Sequence, residues 1–534
     1  MTLNRRRLAA AVVALVLIAS GQGGLRAAQV HASRVAAPSS LTVVMAQDAV
    51  GLDPQAVEDN SAGFIDSCVL DQLVEYKRGT TNVGPGLATK WNVSKNGKVY
   101  IFFLRRGVKF QDGTAFNANA YIKDLDRLVN PQNPNYVLKQ AGIQSFIAFT
   151  YGLVKSYKAT GAYTVQITLK QPFGPFLSSL AMVWSGVMSP TAVSKNGNAG
   201  VLQHPVGTGP YRFVEWVKND HITLEANSSY WGHKPAVKRL TFQIVPDASV
   251  RVLKLQRGEA QIDADVTTQD VLSTTHTSGI QQLKQPGQLI NGIGMTTDVK
   301  PLNDVRVRQA LNYAVDRKAL SKSLFKGIGA PMNSYLPPPV WSYDTSLKGY
   351  PYNPKKAKQL LKAAGYPHGF SVELLGYANP RGYNAAGGQL AVAVQQYLKA
   401  VGVTAHITTL DFGAFLTESR SGSYHGLYMT GWSGDNGDPD DFLYELFASA
   451  QIPVGNTSHL RDKHLDKILI QARQTSQKAA RTKLYRQAQV ILNNDAPWIF
   501  GTYTKQVRLV RTNVHGFALN PTLMFFYMQD VTLS

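Results

Sequence analysis

The chain has 534 residues, 44% hydrophobic and 17% charged, with a formal charge of +21 and one cysteine. That length exceeds one ordinary core and points to two to four domains, and the balance of apolar and charged residues excludes a disordered chain. With Cys68 alone, no intramolecular disulfide can form.

Residues 1–32 carry Arg5, Arg6, Arg7 and Arg26 and no acid. The apolar run from Leu8 to Ala19 is twelve residues long, short of the ~20 that cross a bilayer. With Val30-His-Ala32 ahead of Ser33, this predicts a secretory signal cleaved near Ala32. An uncleaved anchor is the alternative, and Arg5-Arg6-Arg7 leaves general or twin-arginine export open. Residues 33–40 read as a linker of small residues. Leu41-Thr-Val-Val-Met45 is the first expected strand. Cys68 sits between Phe64-Ile-Asp-Ser67 and Val69-Leu70, which predicts a core position rather than a reactive thiol.

Val99-Tyr-Ile-Phe-Phe-Leu104 is strand-like, and Tyr163, Val165, Ile167 and Leu169 alternate, as do Leu240, Phe242 and Ile244. Helices dominate after residue 300. Asn303 is the expected cap of a run in which Val307, Leu311 and Ala314 share a face. Asn353-Pro354 opens another helix, and Gly365 stops it. Leu390, Val394, Tyr397 and Val401 mark a third, ended by Gly402. Leu465, Ile468, Leu469 and Ala472 mark a fourth, and Leu484, Ala488 and Ile491 a fifth. Strands at 371–375, 403–407 and 427–430 alternate with these helices, which implies an α/β unit. The first half of the chain is richer in β structure.

Residues 431–442, Gly-Trp-Ser-Gly-Asp-Asn-Gly-Asp-Pro-Asp-Asp-Phe, combine one indole, Trp432, with Asp435, Asp438, Asp440 and Asp441. The glycines and the proline predict an irregular loop at a strand end. Such a loop suits a cationic or amine-bearing ligand; a solvated acidic turn is the competing reading. Calcium is a minor alternative, because an EF-hand begun at Asp435 puts Gly437 at position 3 and Leu446 at position 12.

No catalytic motif stands out. GxSxG, HExxH, CxxC and the P-loop are absent, and the Gly-x-Gly pairs lack the third glycine of a dinucleotide fingerprint. The expectation is no catalytic residue, no metal and no cofactor. His459 and His464 are five apart, ~140° around a helix, and so off a common face. Once the four arginines of residues 1–32 are set aside, +17 remains. A nucleic-acid partner is the obvious rival. Yet the charge is dispersed, no run of five basic residues exists, and the expected signal argues against it.

Several segments in order resemble one family. They are Leu52-Asp-Pro-Gln55, Leu73-Val-Glu-Tyr-Lys-Arg-Gly-Thr-Thr81, Pro85-Gly-Leu-Ala-Thr-Lys-Trp91 and Leu104-Arg-Arg-Gly-Val-Lys-Phe110. Pro205-Val-Gly-Thr-Gly-Pro-Tyr211, Tyr230-Trp-Gly-His-Lys-Pro235, Pro246-Asp-Ala-Ser-Val-Arg251, Val307-Arg-Gln-Ala-Leu311 and the 431–442 stretch follow. Together they are similar to the dipeptide-binding proteins of ABC importers, in the peptide/nickel-binding family. The resemblance implies an α/β, two-lobed periplasmic-binding-protein (Venus-flytrap) fold with an extra domain inserted in the first lobe. Lobe one would take residues 41–75, 200–286 and 500–534, the insert 76–199, and the ligand-holding lobe two 287–499.

The same resemblance implies a monomeric, periplasmic receptor without a lipid-anchoring cysteine at the cleavage point. It would capture a dipeptide or other small peptide and deliver it to a membrane permease of the ABC type, with no nucleic acid involved. Oligopeptide, glutathione, haem or nickel are alternative ligands. A secreted peptide hydrolase is an alternative class, and service to a chemoreceptor stays open. By the family's pattern Asp435 faces the ligand ammonium. Arg381, in Asn379-Pro-Arg-Gly-Tyr-Asn384, faces its carboxylate. Tyr383 and Trp432 match the aromatic positions beside the ligand, and Gly431 offers backbone. The chain departs from the pattern at Gly382, in place of a proline. The pairing makes physical sense: a zwitterion in a desolvated cleft needs an opposite charge at each end, and the arginine fork can bond both carboxylate oxygens.

Overall fold

The computed structural model describes residues 39–138 and 146–534. The expected signal and residues 33–38 of the expected linker lie outside them. Among the described residues no helix is long and apolar enough to cross a membrane.

One large mixed sheet runs through the molecule. Its strands follow the order Val403–Leu410, Phe370–Tyr377, Leu427–Ser433, Ile280–Met295, Trp498–Arg511, Ile262–Asp263, Ser40–Met45, Arg239–Ile244, His221–Ala226 and Tyr211–Val217. The two long central strands join its halves. Residues 280–286 pair antiparallel with 511–505; the ladder then slips between Pro286 and Ile290, and again between Ile290 and Gly292. Past the slips, 289–295 pair with 433–427. A ladder interrupted at one level lets the strands bend there.

Beyond that level Ile280–Met295 is buried on both faces. Ile293, Met295 and Ile499 join one core with Val307, Leu311, Leu361, Leu390 and Val394 from helices Val305–Ala314, Pro354–Ala363 and Gln389–Lys399. Ile290, Trp498 and Phe500 join another with Phe442, Leu465, Leu469 and Tyr485 from helices Pro439–Phe447, Lys463–Gln474 and Lys478–Asp495. This is a sheet covered by helices on both sides, as the alternation of elements predicts.

A separate antiparallel sheet is built from Ala88–Val93, Val99–Leu104, Thr164–Leu169 and Val154–Gly161. Strands Val99–Leu104 and Thr164–Leu169 bury every second residue, so the period of two read from the sequence is the buried face. Phe102, Val165 and Ile167 pack there with Leu125 and Leu128 of helix Ala118–Val129. Arg127 of that helix forms a buried ion pair with Asp53 and bonds Gln55 at 2.9 Å. These contacts fix the segment that leads to Glu58. Cys68 is fully buried, as expected, and burial pushes its thiol pKa up.

Asn353 caps its helix through the Lys356 amide at 2.9 Å. The expected cap at Asn303 falls one residue later. Asp304 accepts the Arg306 amide at 2.8 Å, and the helix runs Val305–Ala314. Either side chain can cap; the backbone path selects the second.

Candidate ligand-binding site

The 431–442 stretch is less irregular than its composition suggests. Gly431, Trp432 and Ser433 complete the strand Leu427–Ser433, with Gly431 opposite Asn291 and Trp432 opposite Ile290. Asp438 is the N-cap of helix Pro439–Phe447. An aspartate followed by proline at the first helical position is a helix start, so only 434–438 remain as a loop. Gly437 has φ +68°, and a Cβ there would lie 2.3 Å from the Thr81 side chain. Glycine therefore meets both the left-handed backbone and the close approach of the Thr81 segment.

The four carboxylates divide their work. Asp438 binds Arg481 through two hydrogen bonds, at 2.6 and 2.8 Å. Asp440 accepts from Arg473 at 3.0 Å. Asp441 accepts from the Trp432 indole at 3.2 Å and from the Asp435 amide at 2.8 Å. Asp435 lines a cavity, and its carboxylate forms no ion pair among the described residues. Burial, then Asp441, then Glu58 hold its carboxyl well above the usual range. Burial is also the first cause for Asp441, which is pushed up to about 8. Asp435 at the cavity wall, with Asp441 bonded to its amide and no ion pair on either among the described residues, is poised to accept a cation.

Arg381 and Tyr383 lie in the loop after strand Phe370–Tyr377. Reciprocal backbone bonds between Arg381 and Asn384, at 2.9 and 2.8 Å, close that turn. The Tyr383 carbonyl accepts from Asn291 at 2.7 Å and from Thr504 at 3.2 Å. The loop is thus pinned to both long central strands, beside the interrupted ladder. The Arg381 guanidinium lies 3.8 Å above the Phe412 ring, a stacked arrangement that holds its plane.

All five expected site residues, Arg381, Tyr383, Gly431, Trp432 and Asp435, line one cavity of about 360 Å³. Gly431 has a steric role that sequence reading missed. A Cβ on it would sit 2.2 Å from a Tyr383 ring carbon and 2.7 Å from the Ile290 carbonyl. Gly431→Ala must therefore push the Tyr383 ring off the strand. The expected result is a destabilisation of about 1–3 kcal/mol together with loss of ligand binding. Urea melts and calorimetry on the variant check it, and wild-type values in both would place the ring elsewhere.

Sequence reading also missed the other walls. Glu58, Asn60 and Trp184 line the cavity from the first half of the chain, and Phe412 and Arg420 from helix Phe412–Ser419 and its C-terminal cap. Glu58 accepts the Ile147 amide at 3.1 Å. Burial lowers the pKa of Arg420, opposed only by the nearby Tyr383 phenol. No spacing or motif marks these residues, because they reach the cavity from distant segments.

His459 and His464 do not form a pair. His459 instead bonds Asp298 at 3.0 Å, and Asp298, His425 and His459 bring possible metal-ligating atoms within 4.8 Å of one another. None of the three lines the cavity. Arg308, Arg461 and Lys463 line the pocket that Asp298 and His459 share, and these cations oppose a metal ion there.

The sequence matches the family described as bacterial extracellular solute-binding proteins, family 5 Middle, over residues 82–453. It is 36% identical over 484 residues to the dipeptide-binding protein of Escherichia coli, covering 88% of this chain and 90% of that one. It is 33% identical over 526 residues to heme-binding protein A of Haemophilus influenzae, covering 96% of each. The fold superposes with a TM-score of 0.80 on the dipeptide binding protein from Pseudoalteromonas sp. SM9913 in complex with Met-Leu. That match has 25% identity and covers 93% of this chain and all of that one. The two-lobed α/β fold expected from the sequence is thereby borne out.

Proposed function

The chain belongs to family 5 of the bacterial extracellular solute-binding proteins, and from that membership we propose that it captures dipeptides outside the cytoplasm for an ABC importer. One observation carries the reading. A buried acid without a cationic partner, Asp435, and a stacked arginine, Arg381, line the same cavity. A free dipeptide supplies the matching ammonium and carboxylate. The volume of about 360 Å³ is near the small end of ligand pockets and favours a dipeptide over a long peptide.

In this reading Asp435 neutralises the ammonium and Arg381 the carboxylate. Trp432 and Tyr383 form the apolar walls between them. Fixed charges at the two ends measure ligand length, while side-chain selectivity comes from the remaining walls. Residues 287–499 act as the lobe that holds the ligand, and residues 41–75, 200–286 and 500–534 close over it with the 76–199 insert. The bend lies where the two long strands lose register, near 286–292, and closure is a hinge motion. The protein works as a periplasmic monomer that presents closed, loaded lobes to the permease, and it performs no chemistry on the peptide.

Calorimetry with free, N-acetylated and C-amidated versions of one dipeptide tests the reading. Free dipeptide should bind at about micromolar or better. Each blocked form should bind at least about tenfold more weakly, because a buried charge is left unpaired. Equal binding of all three overturns the assignment. Peptide turnover in the same samples would instead favour a hydrolase.

A further inference from the structure

Arg420 stands out among the cavity residues because neither a carboxylate nor a stacked ring partners it among the described residues. Arg381, also in the cavity, has a ring under its guanidinium. Arg473 and Arg481, the buried arginines nearby, each hold carboxylates. Arg420 has no carboxylate within ion-pair distance among the described residues, and its surroundings are desolvated. It stays charged regardless, since a guanidinium keeps its proton in proteins. A desolvated charge without a partner is costly unless a ligand supplies one.

The placement of the two arginines narrows what that ligand group is. Arg381 lies over Phe412, the first residue of helix Phe412–Ser419, and Arg420 caps the other end. Phe412 and Arg420 are about 12 Å apart along that helix, while Arg381 reaches the Phe412 ring from the loop after strand Phe370–Tyr377. Both arginines line the same cavity as the Tyr383 ring. Two cations carried into one cavity on separate segments, the loop after strand Phe370–Tyr377 and the end of helix Phe412–Ser419, suit two anionic groups better than one. Arg420 caps the helix that carries Phe412, the ring under Arg381, and that shared helix puts Arg420 on the side of the cavity where the peptide carboxylate sits in the proposed pose.

We propose that Arg420 forms a second anion subsite, so that the preferred ligands are dipeptides whose C-terminal residue carries an acidic side chain. The inference rests on the reading of Asp435 and Arg381 as the anchors for the two termini. In the complex the C-terminal carboxylate meets Arg381 and the side-chain carboxylate meets Arg420.

The test compares Ala-Glu, Ala-Gln and Glu-Ala by calorimetry, on the full-length wild type and on Arg420→Gln. Ala-Glu and Ala-Gln have the same shape and differ by one charge. The wild type should bind Ala-Glu about tenfold or more tighter than either other peptide, and Arg420→Gln should reduce the Ala-Glu to Ala-Gln ratio to about one. Equal binding of Ala-Glu and Ala-Gln to the wild type overturns the subsite while leaving the terminal anchors intact. A wild-type preference that survives Arg420→Gln assigns the acidic group to another residue and also overturns it. A uniform loss across the three peptides, with the ratio kept, places Arg420 on the shared C-terminal carboxylate and overturns it as well. No binding of any of the three to the wild type overturns both this inference and the reading beneath it. The wild-type comparison stands even if the variant does not fold.

Discussion

Asp435→Asn is expected to abolish tight dipeptide binding without weakening the empty protein. The substitution keeps the shape and removes the charge that faces the ligand ammonium in the proposed pose. Leaving a buried charge unpaired costs about 3–5 kcal/mol, which is a loss of roughly a hundredfold to a thousandfold or more in affinity. The empty protein loses nothing comparable. The Asp435 side chain has no cationic partner to give up, and its repulsion by Asp441 and Glu58 disappears. Its melting temperature should therefore stay the same or rise slightly. Ligand stabilises only the state that it binds, so added dipeptide should raise the melting temperature of the wild type and not of the variant. An equal ligand-induced shift in both proteins would falsify the role of Asp435, and leave it as part of a solvated turn.

Affinity should also fall steeply with acid. Asp435, at the cavity wall, and Asp441, which accepts its amide, are neighbours, and burial holds both above the ordinary carboxylate range, Asp441 to about 8. Without ligand the pair therefore retains protons that it would release in water. An ammonium in the cavity favours the ionised form, so binding expels a proton over the window from about pH 4 to about pH 8. A dipeptide amine, with an ordinary pKa near 8, keeps its charge through that window. One proton displaced makes the dissociation constant rise about tenfold per pH unit of acidification, about a hundredfold from pH 7 to pH 5. Stability of the empty protein takes the opposite sign. The folded state holds protons that the unfolded state gives up above about pH 4, so this pair favours folding at low pH and the contribution is lost as pH rises toward 8. Calorimetry at pH 6.5 in two buffers of different ionisation enthalpy counts the proton. An affinity constant from pH 5 to pH 7.5, with no proton released, would show that the acid pair is not the amine partner.

Much of the secondary structure was legible because it is written in local periodicity. The alternation at 99–104 and 163–169 became two strands with one buried face. Asn353-Pro354 became a capped helix start. The stretch 431–442 supplies Gly431, Trp432 and Asp435 to one cavity, but it is not the one long loop its composition predicts. Glycine and proline carry a turn signal by composition, but Gly431 is held in a strand by its pairing with Asn291. Pro439, after an aspartate cap, begins a helix. The role of Asp435 could be separated from those of Asp438 and Asp440 only once Arg481 and Arg473, far along the chain, were seen to occupy the other two.

The sequence by itself therefore determined the elements, the family and the five residues that share the cavity. Hydrophobic period, cap chemistry and a run of motifs are properties of near neighbours. Tertiary structure alone decided which charges are spent and which remain free to meet a ligand. It paired Asp438 with Arg481, left Asp435 beside another acid, and laid the Tyr383 ring on Gly431. It brought Arg420 and Glu58 from separate segments to the same cavity. Pairing and desolvation depend on distances through space between residues remote in the chain, and local sequence pattern does not encode those distances.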